Sequence, residues 1–154
     1  MQLFSRLRRF SSLPVAKQWR LLSALAGLTL TAAGLQVAGF RRVAAVLPRL
    51  APAPRRALSE SENHRCIRRD LGALQWATDR CPLEARCLAR SLTLWWMLRC
   101  AGIEGVLRIG IRHEEGKFES HAWIEFQGRP LNDRLDVRDR FVVLESRRLG
   151  VANR

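Results

Sequence analysis

From Leu88 to Cys100 the chain is apolar on almost every side, with Leu88, Leu92, Leu94, Trp95, Trp96, Met97 and Leu98 spread around any helix that forms there. A helix of that kind belongs in the centre of a core. Gly102 supplies its stop, because a residue without Cβ readily takes the backbone turn that ends a helix. Directly afterwards the hydrophobic period falls to two. Leu107, Ile109 and Ile111 alternate with Arg108 and Arg112; after a Glu114-Glu115-Gly116 turn, Phe118, Ser120, Ala122, Ile124 and Phe126 alternate with Glu119, His121, Trp123 and Glu125. That pattern predicts a hairpin of two strands. A Gln127-Gly128-Arg129-Pro130 turn leads to a further strand carrying Leu131, Asn132 and Asp133, and Phe141 to Leu144 offers one more. The fold class that follows is α+β, a buried helix packed on an antiparallel sheet.

Upstream, Cys66 to Thr78 sets Cys66, Ile67, Leu71, Leu74 and Trp76 at near-helical intervals, an amphipathic scaffold helix before the Cys81-Pro82 turn. Pro48, Pro52 and Pro54 crowd the stretch before it, and proline cannot continue a helical hydrogen-bond ladder, so residues 51–57 read as a linker. Ahead of the linker a helical pattern starts near Val15, and the twenty residues from Leu21 to Phe40 carry no charge, long enough to cross a bilayer. Yet Leu21, Leu25, Leu28, Ala32 and Leu35 recur on one face, while Ser23, Thr29, Thr31 and Gln36 dilute the run. One apolar stripe favours docking, on protein or at a membrane surface, over spanning. A second short helix is expected over 41–50. The predicted organisation is a basic, apolar helical extension with its linker over 1–58 and a catalytic domain over 59–154.

With 154 residues, 47% of them hydrophobic, the chain can bury one core. Its formal charge of +13 is placed unevenly: ten basic residues and no acidic one lie in 1–58, leaving 17 basic against 14 acidic residues beyond, a net of +3. Such a front could face phosphate or anionic lipid. No paired Cys/His finger spacing and no aromatic RNP-like strand accompanies it, so no nucleic-acid partner is expected. Cys66, Cys81, Cys87 and Cys100 contain no C-x-x-C pair, and their irregular spacing argues against a zinc site shared with His64. Without a convincing signal-peptide cleavage site ahead of the domain, they read as reduced thiols in a cytoplasmic protein, membrane-associated if residues 1–58 meet a bilayer. No metal and no cofactor is expected.

The chemistry rests on three residues. Cys87 begins the buried helix, where unpaired backbone N–H groups and the positive end of the helix dipole favour a thiolate. His121 lies mid-strand in the hairpin and can take the thiol proton and return it to a leaving amine, work worth about 10²–10⁴-fold in rate. Asp133, one turn downstream, can hold the imidazole in one tautomer. Each has a plainer reading alone: Cys87 as a small buried apolar residue, His121 as a core histidine bonded to backbone, Asp133 as a turn-shaping residue. Their order is what raises them together, nucleophile at a helix start, base on the next hairpin, acid on the next strand. His113, beside the Glu114-Glu115-Gly116 turn, reads as an exposed tip; Asp136 and Asp139 stay open as the orienting acid, and Cys81 as a rival nucleophile.

Several blocks resemble the lasso peptide leader peptidases: Cys87-Leu88-Ala89-Arg90-Ser91-Leu92, Leu98-Arg99-Cys100-Ala101-Gly102-Ile103, Leu107-Arg108-Ile109-Gly110-Ile111, Phe118-Glu119-Ser120-His121-Ala122-Trp123-Ile124-Glu125 and Gly128-Arg129-Pro130-Leu131-Asn132-Asp133, in that order. The similarity is strong over about residues 60–135 and looser over the N-terminal helices; Cys100 and Ala101 depart from the more basic residues common there. The resemblance implies a transglutaminase-like, papain-related fold with Cys87 as nucleophile, His121 as base and Asp133 as orienting acid. It implies a substrate too, a lasso precursor whose leader is removed before a separate cyclase closes the macrolactam. Members of that family carry a leader-recognition domain or borrow one; residues 1–58 lack the strand alternation such a domain needs, so a separate leader-recognition partner is expected.

Overall fold

The computed structural model describes residues 13–51, 58–114 and 116–147. Helix α1, Val15–Leu50, starts after Pro14 and is kinked at Gly39, whose φ of 76° a residue with Cβ adopts only under strain. The two helices expected in this stretch are therefore two arms of one element, meeting just before residue 40. Leu21, Ala24, Leu28 and Ala32 bury one face of it and join the main core cluster; full burial of one Leu contributes about 1.5–3 kcal/mol. By length and composition α1 could cross a membrane, and no other helix among the described residues passes that test. Of the linker expected at 51–57, residues 52–57 lie outside the described residues.

Helix α2, Glu60–Thr78, opens with a capping box: Ser59 Oγ accepts the Glu62 N–H at 3.3 Å and the Glu62 carboxylate accepts the Ser59 N–H at 2.8 Å. The helix thus starts six residues before its apolar periodicity becomes visible. Arg20 ties α1 to it, donating to the fully buried Asp70 at 2.6 Å. Burial pushes the Asp70 carboxyl up, and Arg20 and Arg69 offset only part of that.

Helix α3, Cys87–Cys100, is the all-round apolar segment, and it packs between α1, α2 and the sheet. Strands β1 (Val106–Glu114) and β2 (Lys117–Phe126) form the expected hairpin, with Ile109 opposite Ala122 and Gly110 opposite His121. Strand β3 is only Arg129–Pro130, a four-residue helix α4 spans Val137–Arg140, and β4 (Val142–Arg147) completes the order β3-β2-β1-β4.

Two expectations need correction here. The third strand is not at 131–133, so Asp133 sits in the loop after β3. Leu131 N–H still bonds Ile124 C=O at 2.8 Å, but the next bond to β2 comes from a side chain, Asn132 Oδ1 accepting Ile124 N–H at 2.8 Å, and the backbone is free to leave the sheet. The alternation along β2 also fails where it matters, because Ala122, Trp123, Ile124 and Glu125 are all buried. Ala122 and Ile124 meet the main core, while Trp123 packs with Val137 and Phe141 on the other face. Glu125 survives burial there by accepting from Arg108 at 2.8 Å, Trp123 at 2.9 Å and Arg138 at 2.7 Å. Burial would raise its carboxyl; these donors outweigh it and hold the group at about 2.

Candidate active site

Cys87 is the first residue of α3, and the first backbone bond of that helix runs from Arg90 N–H to Arg86 C=O at 3.2 Å. The N–H groups of Cys87, Leu88 and Ala89 therefore have no partner within the helix, as at any α-helix start. Across from them lies β2. Among the described residues β3 pairs with β2 only at Glu125 and Phe126, which leaves the edge at His121 and Ala122 free to meet the helix end.

There the Cys87 thiol faces the His121 ring, whose pull on the thiol proton, opposed by burial and helped by the backbone of Ala122 and Leu88, holds its pKa below the ordinary thiol range. The same pairing raises His121, against partial burial and together with Asp133. Both shifts favour a thiolate beside an imidazolium. His121 Nε2 is bonded to Asp133 Oδ2, which leaves Nδ1 as the ring nitrogen for the thiol. Asp133 is itself held by the Arg134 N–H at 2.7 Å. Phe141 stacks on the imidazole at 5.1 Å and Trp123 at 6.1 Å.

A second layer of bonds fixes this line. Ser91, one turn after Cys87 on α3 and fully buried, donates to Ala122 C=O at 2.8 Å and accepts from Asn132 Nδ2 at 2.9 Å. Asn132 in turn holds Ile124 N–H. The helix bearing Cys87, the strand bearing His121 and the loop bearing Asp133 are thus joined by residues adjoining the three. The sequence reading missed Ser91 and Asn132 as positioning residues, although Ser91 lies four residues from Cys87 on the same helix face and Asn132 precedes Asp133 directly.

The rivals lie elsewhere. Cys81 faces Thr29 of α1 at 3.7 Å. His113 is exposed near the hairpin tip against Phe118. Asp136 pairs with Arg134 at 3.4 Å, and Asp139 is exposed on α4. Beside the α3 start runs a groove of about 420 Å³, walled by Leu35 and Phe40 of α1 and by Arg86 and Leu88 on either side of Cys87.

A family model described as transglutaminase-like superfamily matches residues 27–146, from within α1 into β4. The chain belongs to the transglutaminase-like superfamily. No curated protein and no solved structure matches it. Transglutaminase-like domains are in general those of cysteine peptidases or acyltransferases, both of which need an activated thiol.

Proposed function

We propose that this transglutaminase-like protein is a cysteine peptidase that removes the leader from a lasso peptide precursor, with Cys87, His121 and Asp133 as its catalytic residues. The observation that carries the chemistry is the bond from the His121 ring to Asp133 with the Cys87 sulfur facing that ring at the helix start. The thiolate attacks the carbonyl at the leader–core junction, and the Cys87 backbone N–H, unpaired in the helix, donates to the oxyanion. His121 gives its proton to the departing core amine as the C–N bond breaks. Water, deprotonated by His121, then cleaves the thioester and frees the leader carboxylate. Asp133 keeps the ring oriented and stabilises its charged form.

The lasso substrate is supported by the ordered motif blocks resembling the leader peptidases, and the same resemblance supplies the partners: a separate leader-recognition protein and a macrolactam cyclase. Incubating the protein with a lasso precursor, with and without the recognition protein, and weighing the products tests the reading. Expected are a free leader and a core with a free N-terminus, lost in Cys87→Ala and strongly reduced without the partner. A product joined to an added amine would mark an acyltransferase instead, and cleavage surviving Cys87→Ala would refute the assignment.

A further inference from the structure

Helix α1 is apolar on two opposite faces. One is packed in the core through Leu21, Ala24, Leu28 and Ala32. The other carries Val15, Trp19, Leu22, Ala26, Leu30, Ala33 and Val37, at successive spacings of four, three, four, four, three and four residues. Those spacings keep the side chains in one narrow stripe, about 33 Å long at the rise of an α-helix. Trp19, Leu30 and Val37 are 67%, 72% and 87% exposed.

We propose that this stripe rests on an anionic lipid surface, with α1 parallel to the membrane plane and the rest of the domain held on its opposite face. The charge pattern selects lipid over a partner helix. In coiled coils charges flanking the seam commonly set register and orientation, and no charged residue occurs from 21 to 40. Cations instead follow the stripe, Arg41 and Arg42, both exposed, and the sequence has no acidic residue before Glu60. Cations at the end of an apolar helix face are what anionic headgroups attract, and Trp19 on the stripe suits the headgroup boundary. Leu35, which lines the groove beside Cys87, lies about half a turn from the stripe, so a lipid contact along the stripe leaves that groove uncovered.

Flotation of the full chain with phosphatidylcholine vesicles, with and without about a third phosphatidylglycerol, tests the proposal. Anionic vesicles should bind at least about tenfold better than neutral ones, with a blue shift in tryptophan emission that Trp19→Phe removes. A carbonate wash should release the protein. Leu30→Glu combined with Val37→Glu replaces two exposed residues, so Cys87 alkylation should persist while vesicle binding falls about tenfold or more. Failure to float, or flotation indifferent to the double substitution, overturns the proposal. Resistance to carbonate would mean that the helix crosses the bilayer. A dimer in sedimentation that the same substitutions dissociate, without vesicle binding, would assign the stripe to a second copy of the chain.

Discussion

Asn132→Ala removes one side chain that braces two elements at once. Its Oδ1 accepts the Ile124 N–H at 2.8 Å and its Nδ2 donates to Ser91 Oγ at 2.9 Å. Ile124 is fully buried, so its N–H loses its partner where water cannot replace it. An intramolecular hydrogen bond contributes about 1 kcal/mol net, and an orphaned buried donor costs about 1–3 kcal/mol. Ser91 keeps its bond to Ala122 C=O, so the two losses together come to about 3 kcal/mol. For a chain of this size that lowers the melting midpoint by roughly 6–12 °C. Asp133 is the next residue, and a displacement of about 1 Å in a catalytic group costs on the order of 10²-fold in rate. Thermal unfolding and steady-state cleavage of a precursor check both numbers: kcat should fall about a hundredfold with KM little changed. Ser91→Ala supplies the second arm of a double-mutant cycle, in which the two losses should fall short of additivity by about 1 kcal/mol. A midpoint within about 2 °C of the parent and kcat within about threefold would refute the bracing role.

Three further outcomes follow from the same contacts. Because the thiol is lowered and the imidazole raised, the ion pair forms as pH rises past the first group and is lost as it rises past the second; cleavage should trace a bell belonging to the pair, and Cys87 alkylation followed by peptide mapping should shift to alkaline pH in His121→Ala. An unshifted alkylation profile would break the link between the two residues. The Glu125 carboxyl, held at about 2 against an ordinary 4.5, favours the folded state above that ordinary value, an advantage on the order of 3 kcal/mol that drains away as pH falls towards 2. Urea unfolding across that range should show the loss in the parent and a flatter acid limb in Glu125→Gln, which starts less stable at neutral pH. At Gly110 an added Cβ would stand 2.9 Å from Phe141 Cβ and 3.1 Å from the Trp123 ring, so Gly110→Ala should cost about 1–3 kcal/mol. Since both rings flank His121, it should also lower kcat more than it raises KM, and parent-like kinetics would show that the stacking is idle.

How much of this was legible beforehand depended on whether a residue's role is local. The apolar run ending at Gly102 has no solution but a central helix, and the change of period to two has none but a hairpin, so α3, β1 and β2 follow from pattern. Cys87 at a helix start and His121 in the hairpin were legible for the same reason, each standing at a position that local structure defines. Spacing could not choose among Asp133, Asp136 and Asp139, because that choice is made by a loop whose path depends on Asn132 replacing a strand bond with a side-chain bond. Glu125 looked like an outward residue, since its partners Arg108 and Arg138 come from distant positions and meet only in the folded chain. On α1 the face of Leu21, Leu28 and Ala32 was visible and is the one the core takes, but the second apolar face, diluted by Ala26 and Ala33, went unread.

The helix that presents the sulfur is also the beam on which α1, α2 and the sheet all lean. Damage anywhere along that beam will reach the reacting atom, so a random screen for dead variants of this chain would gather broken scaffolds and broken chemistry in one pile. Only a probe of the sulfur itself, set beside a measure of foldedness, can sort them.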